Sequence, residues 1–226
     1  MDEARWERIA ISTGFVAVVF FVVGFVLPGA PLMANASITK VHSYYIDRKT
    51  SVLVGFLVLW VGIAFFLWFI GALRSFLRRH EGGDGRLSAT AFGAGIAAMA
   101  VVLVTTAIPA SLAYNVAATG PTEAMKALFD LGTLSAVLTG PPAAVLIGAT
   151  SLIVLRHGAL PVWTAWFGIV VALLNIAGTA AIFRTTGFLS PTGPLGFVAF
   201  GTVMLWIIAV AATMLPRIGS GAARAA

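Results

Sequence analysis

The side chain best placed to do chemistry is Asp130, which stands at the edge of the apolar run 130–155. A carboxylate at membrane depth is costly, because water no longer solvates it, and it marks a site for a proton, a cation or a polar ligand. Lys126 lies four residues earlier, and on a helix that spacing also permits a purely structural ion pair at the interface. Further along, Thr139-Gly140-Pro141-Pro142 removes two backbone donors in succession and breaks a helix near mid-span. The carbonyls near 136–138 then need other donors, and Ser135, Thr139, Thr105 and Thr106 are the candidates. A second half-helix starting at Thr139 or Gly140 would aim its positive end at an anionic or polar ligand, whereas a structural kink would only shape packing.

Tyr114, Asn115 and Arg184 fall on the same side of the expected topology as Asp130, with Asn175 somewhat deeper. The candidate ligand-binding set is therefore Asp130, Tyr114, Asn115, Asn175, Thr139 and Arg184, with the helix break at Gly140, Pro141 and Pro142. Asn175 serves equally as a hydrogen-bonding link between helices. No catalytic constellation accompanies these residues: there is no phosphate loop, no HExxH pattern and no nucleophile beside a base. His42, His80 and His157 are too scattered to hold a metal, and the absence of cysteine removes thiolate ligands and cysteine nucleophiles. Neither a metal nor a cofactor is expected.

The elements that position these residues are membrane helices. Of 226 residues 60% are hydrophobic and 10% charged, and the mean hydropathy is +1.01. That leaves too little polar surface for a soluble domain. The net charge of +6 is strung along short connections, the pattern of a topology signal and not of a nucleic-acid surface.

Six apolar runs, at 9–27, 51–73, 89–114, 130–155, 161–183 and 195–215, each approach the roughly 20 residues needed to cross a bilayer. The expected fold is an all-α polytopic transmembrane bundle of about six helices in one domain. Ala34-Asn35-Ala36 resembles a leader cleavage site, but the first run is longer than a leader core and Asp2, Glu3 and Glu7 precede it, so it is read as an uncleaved helix. The segment 28–50, with Tyr44, Tyr45, Arg48 and Lys49, reads as a connection lying at the headgroup boundary.

The second run, crowded with Phe56, Trp60, Phe65, Phe66, Trp68 and Phe69, is expected at the lipid-facing periphery, and the basic run from Arg74 to Arg86 as a loop. The third, rich in Gly93, Gly95, Ala97, Ala98 and Ala100, is expected at the centre, with a kink at Pro109. A helix continuing from Pro121 to Arg156 would be about 54 Å long, so its first turns project from the bilayer core. The short turn before Leu160-Pro161 makes the fourth and fifth spans antiparallel neighbours.

Arg5, Arg8, Arg74, Arg78, Arg79, Arg86, Arg156, Arg217 and Arg224 make nine basic residues on one side, against Lys40, Arg48, Lys49, Lys126 and Arg184 on the other. This bias places both termini in the cytoplasm. The proline positions show no repeat between the halves, so an inverted-repeat architecture is not expected.

The stretch Leu155-Arg156-His157-Gly158-Ala159-Leu160-Pro161-Val162-Trp163, followed by Phe167-Gly168-Ile169-Val170, resembles a group of uncharacterised bacterial six-helix integral membrane proteins, classed as a domain of unknown function. The resemblance is clearest from Phe129 to Gly178, and it implies six helices in a bacterial inner membrane without assigning any activity. The expected function is non-enzymatic: binding a small or lipidic ligand from the outer leaflet, or serving as a membrane partner subunit. The expected partners are the lipid bilayer, a lipid or small hydrophobic ligand, and a second copy or another membrane protein, with no nucleic acid. The alternatives are a small transporter with Asp130 as its proton or cation site, and, more weakly, an intramembrane enzyme using Asp130 with Tyr114 or Asn115.

Overall fold

The computed structural model describes residues 3–218. Its helices are α1 (Glu3–Val26), α2 (Ile38–Asp47), α3 (Lys49–Glu81), α4 (Arg86–Tyr114), α5 (Glu123–Val137), α6 (Gly140–His157), α7 (Val162–Gly178) and α8 (Pro194–Met214). Among the described residues there is no strand. With α5 and α6 forming one interrupted span, six helices are long and apolar enough to cross a membrane.

These spans form a closed ring. α1 packs on α3, α3 on α4, α4 on α6, α6 on α7, α7 on α8, and α8 returns to α1. As expected from the short turn between them, α6 and α7 are close neighbours. Apolar lipid gives helices no hydrophobic drive to associate, so the ring depends on close packing, and glycines provide it. A Cβ on Gly24 of α1 would lie 2.7 Å from the carbonyl oxygen of Gly55 on α3, so only glycine permits that approach. Two further glycines receive phenylalanines, Gly14 the ring of Phe69 and Gly62 the Cβ of Phe20 and the ring of Phe21.

This packing reverses the expected roles of the second and third spans. In α3, 39% of the most apolar window is buried, against 22% in α4. Phe66, Phe69, Ile70, Leu73 and Phe76 of α3 stand in the main core. Part of the aromatic bulk that suggested a lipid-facing helix, the ring of Phe69, instead fills the space left by Gly14 on α1. In α4, Gly95 and Ala98 turn inward while Gly93, Ala97 and Ala100 face outward.

Two polar segments are also more ordered than expected. α3 runs on through Arg74, Arg78 and Arg79 to Glu81, so that basic run is helix and not loop. Within 28–50, Ser37 caps a short amphipathic helix, its hydroxyl accepting from the Lys40 N–H at 3.4 Å. This helix, α2, buries Val41 and Tyr45 against α3, α4 and α5 in a second apolar cluster with Leu112, Met125 and Phe129.

Candidate functional site

The break in the fourth span is real, and α6 begins at Gly140, as the two prolines require. The hydroxyls expected to rescue the freed carbonyls do not do so. Ser135 donates to Leu131 O, while Thr105 donates to Val102 O at 3.2 Å and Thr106 to the same oxygen at 2.6 Å. The turn tightens instead: Leu138 N–H donates to Ser135 O at 3.0 Å and Thr139 N–H to Ala136 O at 3.3 Å. These i→i+3 bonds satisfy the carbonyls of Ser135 and Ala136, whereas the carbonyls that lose a donor to Pro141 and Pro142 are those of Val137 and Leu138. Both Leu138 and Thr139 keep right-handed helical dihedrals, so the backbone stays helical through the break.

The start of α6 faces protein. A Cβ on Gly140 would lie 2.6 Å from Asn175 O and 3.2 Å from the Thr179 methyl, so α7 covers it. Asn175 directs its amide back to Val171 O at 2.9 Å on its own helix. Asp130 pairs with Lys126 one turn earlier, and its side chain is 47% exposed. Tyr114 is 72% exposed, and Asn115 and Arg184 are exposed. Among the described residues, no side-chain hydrogen bond or ion pair joins Tyr114, Asn115, Asp130, Thr139, Asn175 and Arg184 to one another. No group of three or more potential metal ligands occurs among the described residues.

At the α2 end, Tyr44 and Arg48 grip the chain where α1 stops. The Tyr44 hydroxyl and the Arg48 guanidinium donate to Pro28 O at 3.0 and 3.1 Å. Arg48 also lies over the Tyr44 ring. Burial pushes the Tyr44 phenol upward, with Arg48 opposing, while burial and the neighbouring Tyr44 raise Tyr45 strongly.

A concave site with no counterpart among the sequence expectations lies on the seam between α1 and α8. It is a groove of about 510 Å³, lined by Val18 and Val22 of α1 and by Val198, Gly201, Leu205 and Ile208 of α8. Gly201 deepens it, since nothing lies within 4 Å of where its Cβ would stand. The single hydroxyl in the lining, on Thr202, donates to its own helix at Val198 O, 2.9 Å, and Ala199 O, 3.0 Å. The groove therefore offers apolar contact and no polar anchor.

The seam is fastened at both ends. At one, Arg8 donates to Ile218 O at 3.3 Å. At the other, Ala34 N–H donates to Thr192 Oγ1 at 3.0 Å. Nearer this second end, Phe25 of α1 stacks on Phe200 with ring centres 4.7 Å apart and meets Phe197 edge-on at 5.9 Å, roofing the groove. No pattern in the sequence marks this groove, because its walls read as ordinary lipid-facing valines and leucines. Comparison with protein-family profiles, curated proteins and solved structures finds no match for this chain.

Proposed function

We propose that this chain is a non-enzymatic multi-pass protein of a bacterial inner membrane, with both termini cytoplasmic, that binds the hydrocarbon chain of a lipid in the α1–α8 groove. The observation that carries this reading is the groove itself: about 510 Å³, within the 300–1,000 Å³ range of small-ligand sites and lined by apolar side chains. A partner helix, about 10–12 Å across, would have to lie along the whole seam. That seam is fastened at both ends and roofed by Phe25, whereas a flexible chain ending at mid-depth needs neither end open. The basic-residue bias supports the orientation, and the resemblance at 155–170 supports the bacterial inner membrane. Asp130, paired and half exposed, supports an interfacial structural role over a proton or cation site.

The test is native mass spectrometry of the purified full chain. Lipid should remain bound in the wild type and be lost in Gly201→Phe, which fills the groove from a position with open space around it. Full lipid retention in that variant would refute the reading.

A partner-subunit role has its own support in α4. Ala89, Gly93, Ala97, Ala100 and Ala107 form an outward face of small residues, the kind that admits a second helix closely. Crosslinking between copies through Gly93→Cys would test it.

A further inference from the structure

We infer that the seam between α3 and α4, at the membrane face where α1 begins and α8 ends, binds an anionic phospholipid of that leaflet, its phosphate held by Arg74 and Arg78. The site is separate from the α1–α8 groove and does not rest on it. Arg79 near the end of α3 pairs with Glu7 near the start of α1, and Arg8 donates to Ile218 O beyond α8, so these helix ends meet on one membrane face.

A topology signal needs only cations on the correct side. Two cations of this face also take acidic partners, Arg79 with Glu7 and Arg86 with Asp84. Glu81 has both carboxylate oxygens occupied, by the N–H groups of Leu87 and Ser88. Arg74 and Arg78 are left without a counter-charge: among the described residues no ion pair or hydrogen bond engages either guanidinium, and both residues are exposed. Their four-residue spacing sets them on one face of α3, where like charges repel and an anion between them relieves the repulsion.

Both side chains reach from α3 to α4. Arg74 Cζ lies 5.1 Å from the centre of the Phe92 ring. The Arg78 chain passes 3.2 Å from where a Cβ on Gly85, the cap of α4, would stand. Phe92 offers no acceptor, so the planar fork of Arg74 keeps its N–H donors for phosphate oxygens. A hydrocarbon core of roughly 30 Å that begins near Lys49, the first residue of α3, ends before Arg74, which puts the guanidinium at phosphate level. One turn deeper on the same face, Gly71 has nothing within 4 Å of where its Cβ would stand. That gap receives the glycerol and the first chain carbons, and the chain ends lie in ordinary lipid.

The full chain, stripped of lipid in detergent, is to be offered phosphatidylglycerol and phosphatidylcholine in equal amounts, with retention read by native mass spectrometry. Wild type should retain phosphatidylglycerol preferentially, since the groove, lacking a polar anchor, does not discriminate. The preference should fall roughly fivefold for each charge removed in Arg74→Gln and Arg78→Gln. Gly71→Phe, which fills the gap without altering charge, should lower it as well. Raising the salt on wild type should weaken it, a readout independent of how the variants fold. Lys49→Gln at the opposite end of α3 should leave it unchanged, and Gly201→Phe in the groove should not lower it.

No anionic preference in the wild type, or one lowered equally by Lys49→Gln, would overturn the assignment and leave the groove standing. A preference abolished by Gly201→Phe, with Arg74→Gln and Arg78→Gln silent, would move the anion to the groove and overturn it too. Displacement of phosphatidylglycerol by an equimolar amount of inorganic phosphate would make this a free-anion site and refute the lipid.

Discussion

Gly24 and Gly55 bring the backbones of α1 and α3 into contact: a Cβ on Gly24 would lie 2.7 Å from Gly55 O, and one on Gly55 2.9 Å from Gly24 O. Because the obstructing atoms are backbone, neither helix can yield by a rotamer change. Gly24→Val should lower stability by about 1–3 kcal/mol, the usual cost of overpacking a filled interior. Gly93→Val, with nothing within 4 Å, should leave the isolated chain's stability unchanged. Thermal unfolding in detergent distinguishes the two, and equal stability of the variants would contradict the α1–α3 contact.

A second contact joins the ends of α3 and α4. Glu81, the last residue of α3, accepts from the N–H groups of Leu87 at 2.7 Å and Ser88 at 2.8 Å. Gly85, at the cap position itself, has no side chain to do this, so Glu81 satisfies two of the four orphan donors of α4 from a distance. Glu81→Ala should cost about 1 kcal/mol and speed amide exchange at Leu87 and Ser88. Asp84→Ala removes only an ion pair with both partners largely exposed, and exchange there should not change.

The outer cluster around α2 should respond to alkali. Burial holds the Tyr45 phenol above its ordinary value of about 10, so the folded state retains the proton that the unfolded state releases. That contribution to stability is complete below about pH 10 and is lost as pH rises through the higher folded value. An alkaline tyrosinate titration of wild type should show a last component, later than that of Tyr44 and absent in Tyr45→Phe. Its persistence in that variant would refute the assignment.

Asp130→Asn breaks the Lys126 pair, an i,i+4 contact with its carboxylate nearly half exposed. Such pairs contribute about 0.3–0.5 kcal/mol, so melting should barely shift, and lipid retention should not change. A proteoliposome flux lost in this variant would instead favour the transporter reading.

Much of the fold was legible because span length, hydropathy, turn length and proline placement are local properties: the six spans, the α6–α7 neighbours and the start of α6 at Gly140 follow from them. Which span is central was not legible. Phe69 on α3 looks lipid-facing until Gly14 of α1 receives its ring, and Gly62 of α3 in turn admits Phe21 of α1, a complementarity that no single helix carries. α2 had a signal in Ser37 followed by Ile38, Val41 and Tyr45 at helical spacing, but its ten residues sat inside a polar stretch. The Asp130–Lys126 pair was visible from spacing alone. The groove was invisible, since a concavity between α1 and α8 depends on which apolar side chains are missing from the seam, above all at Gly201.

The most direct test of the account is photocrosslinking of the full chain, reconstituted in vesicles, to a phospholipid carrying a photoactivatable group near the end of its acyl chain. Crosslinks should concentrate on residues 18–22 and 198–208 and disappear in Gly201→Phe. Crosslinks spread evenly over exposed positions such as Trp68, Val104 and Leu173, and unchanged by that substitution, would contradict lipid binding in the α1–α8 groove.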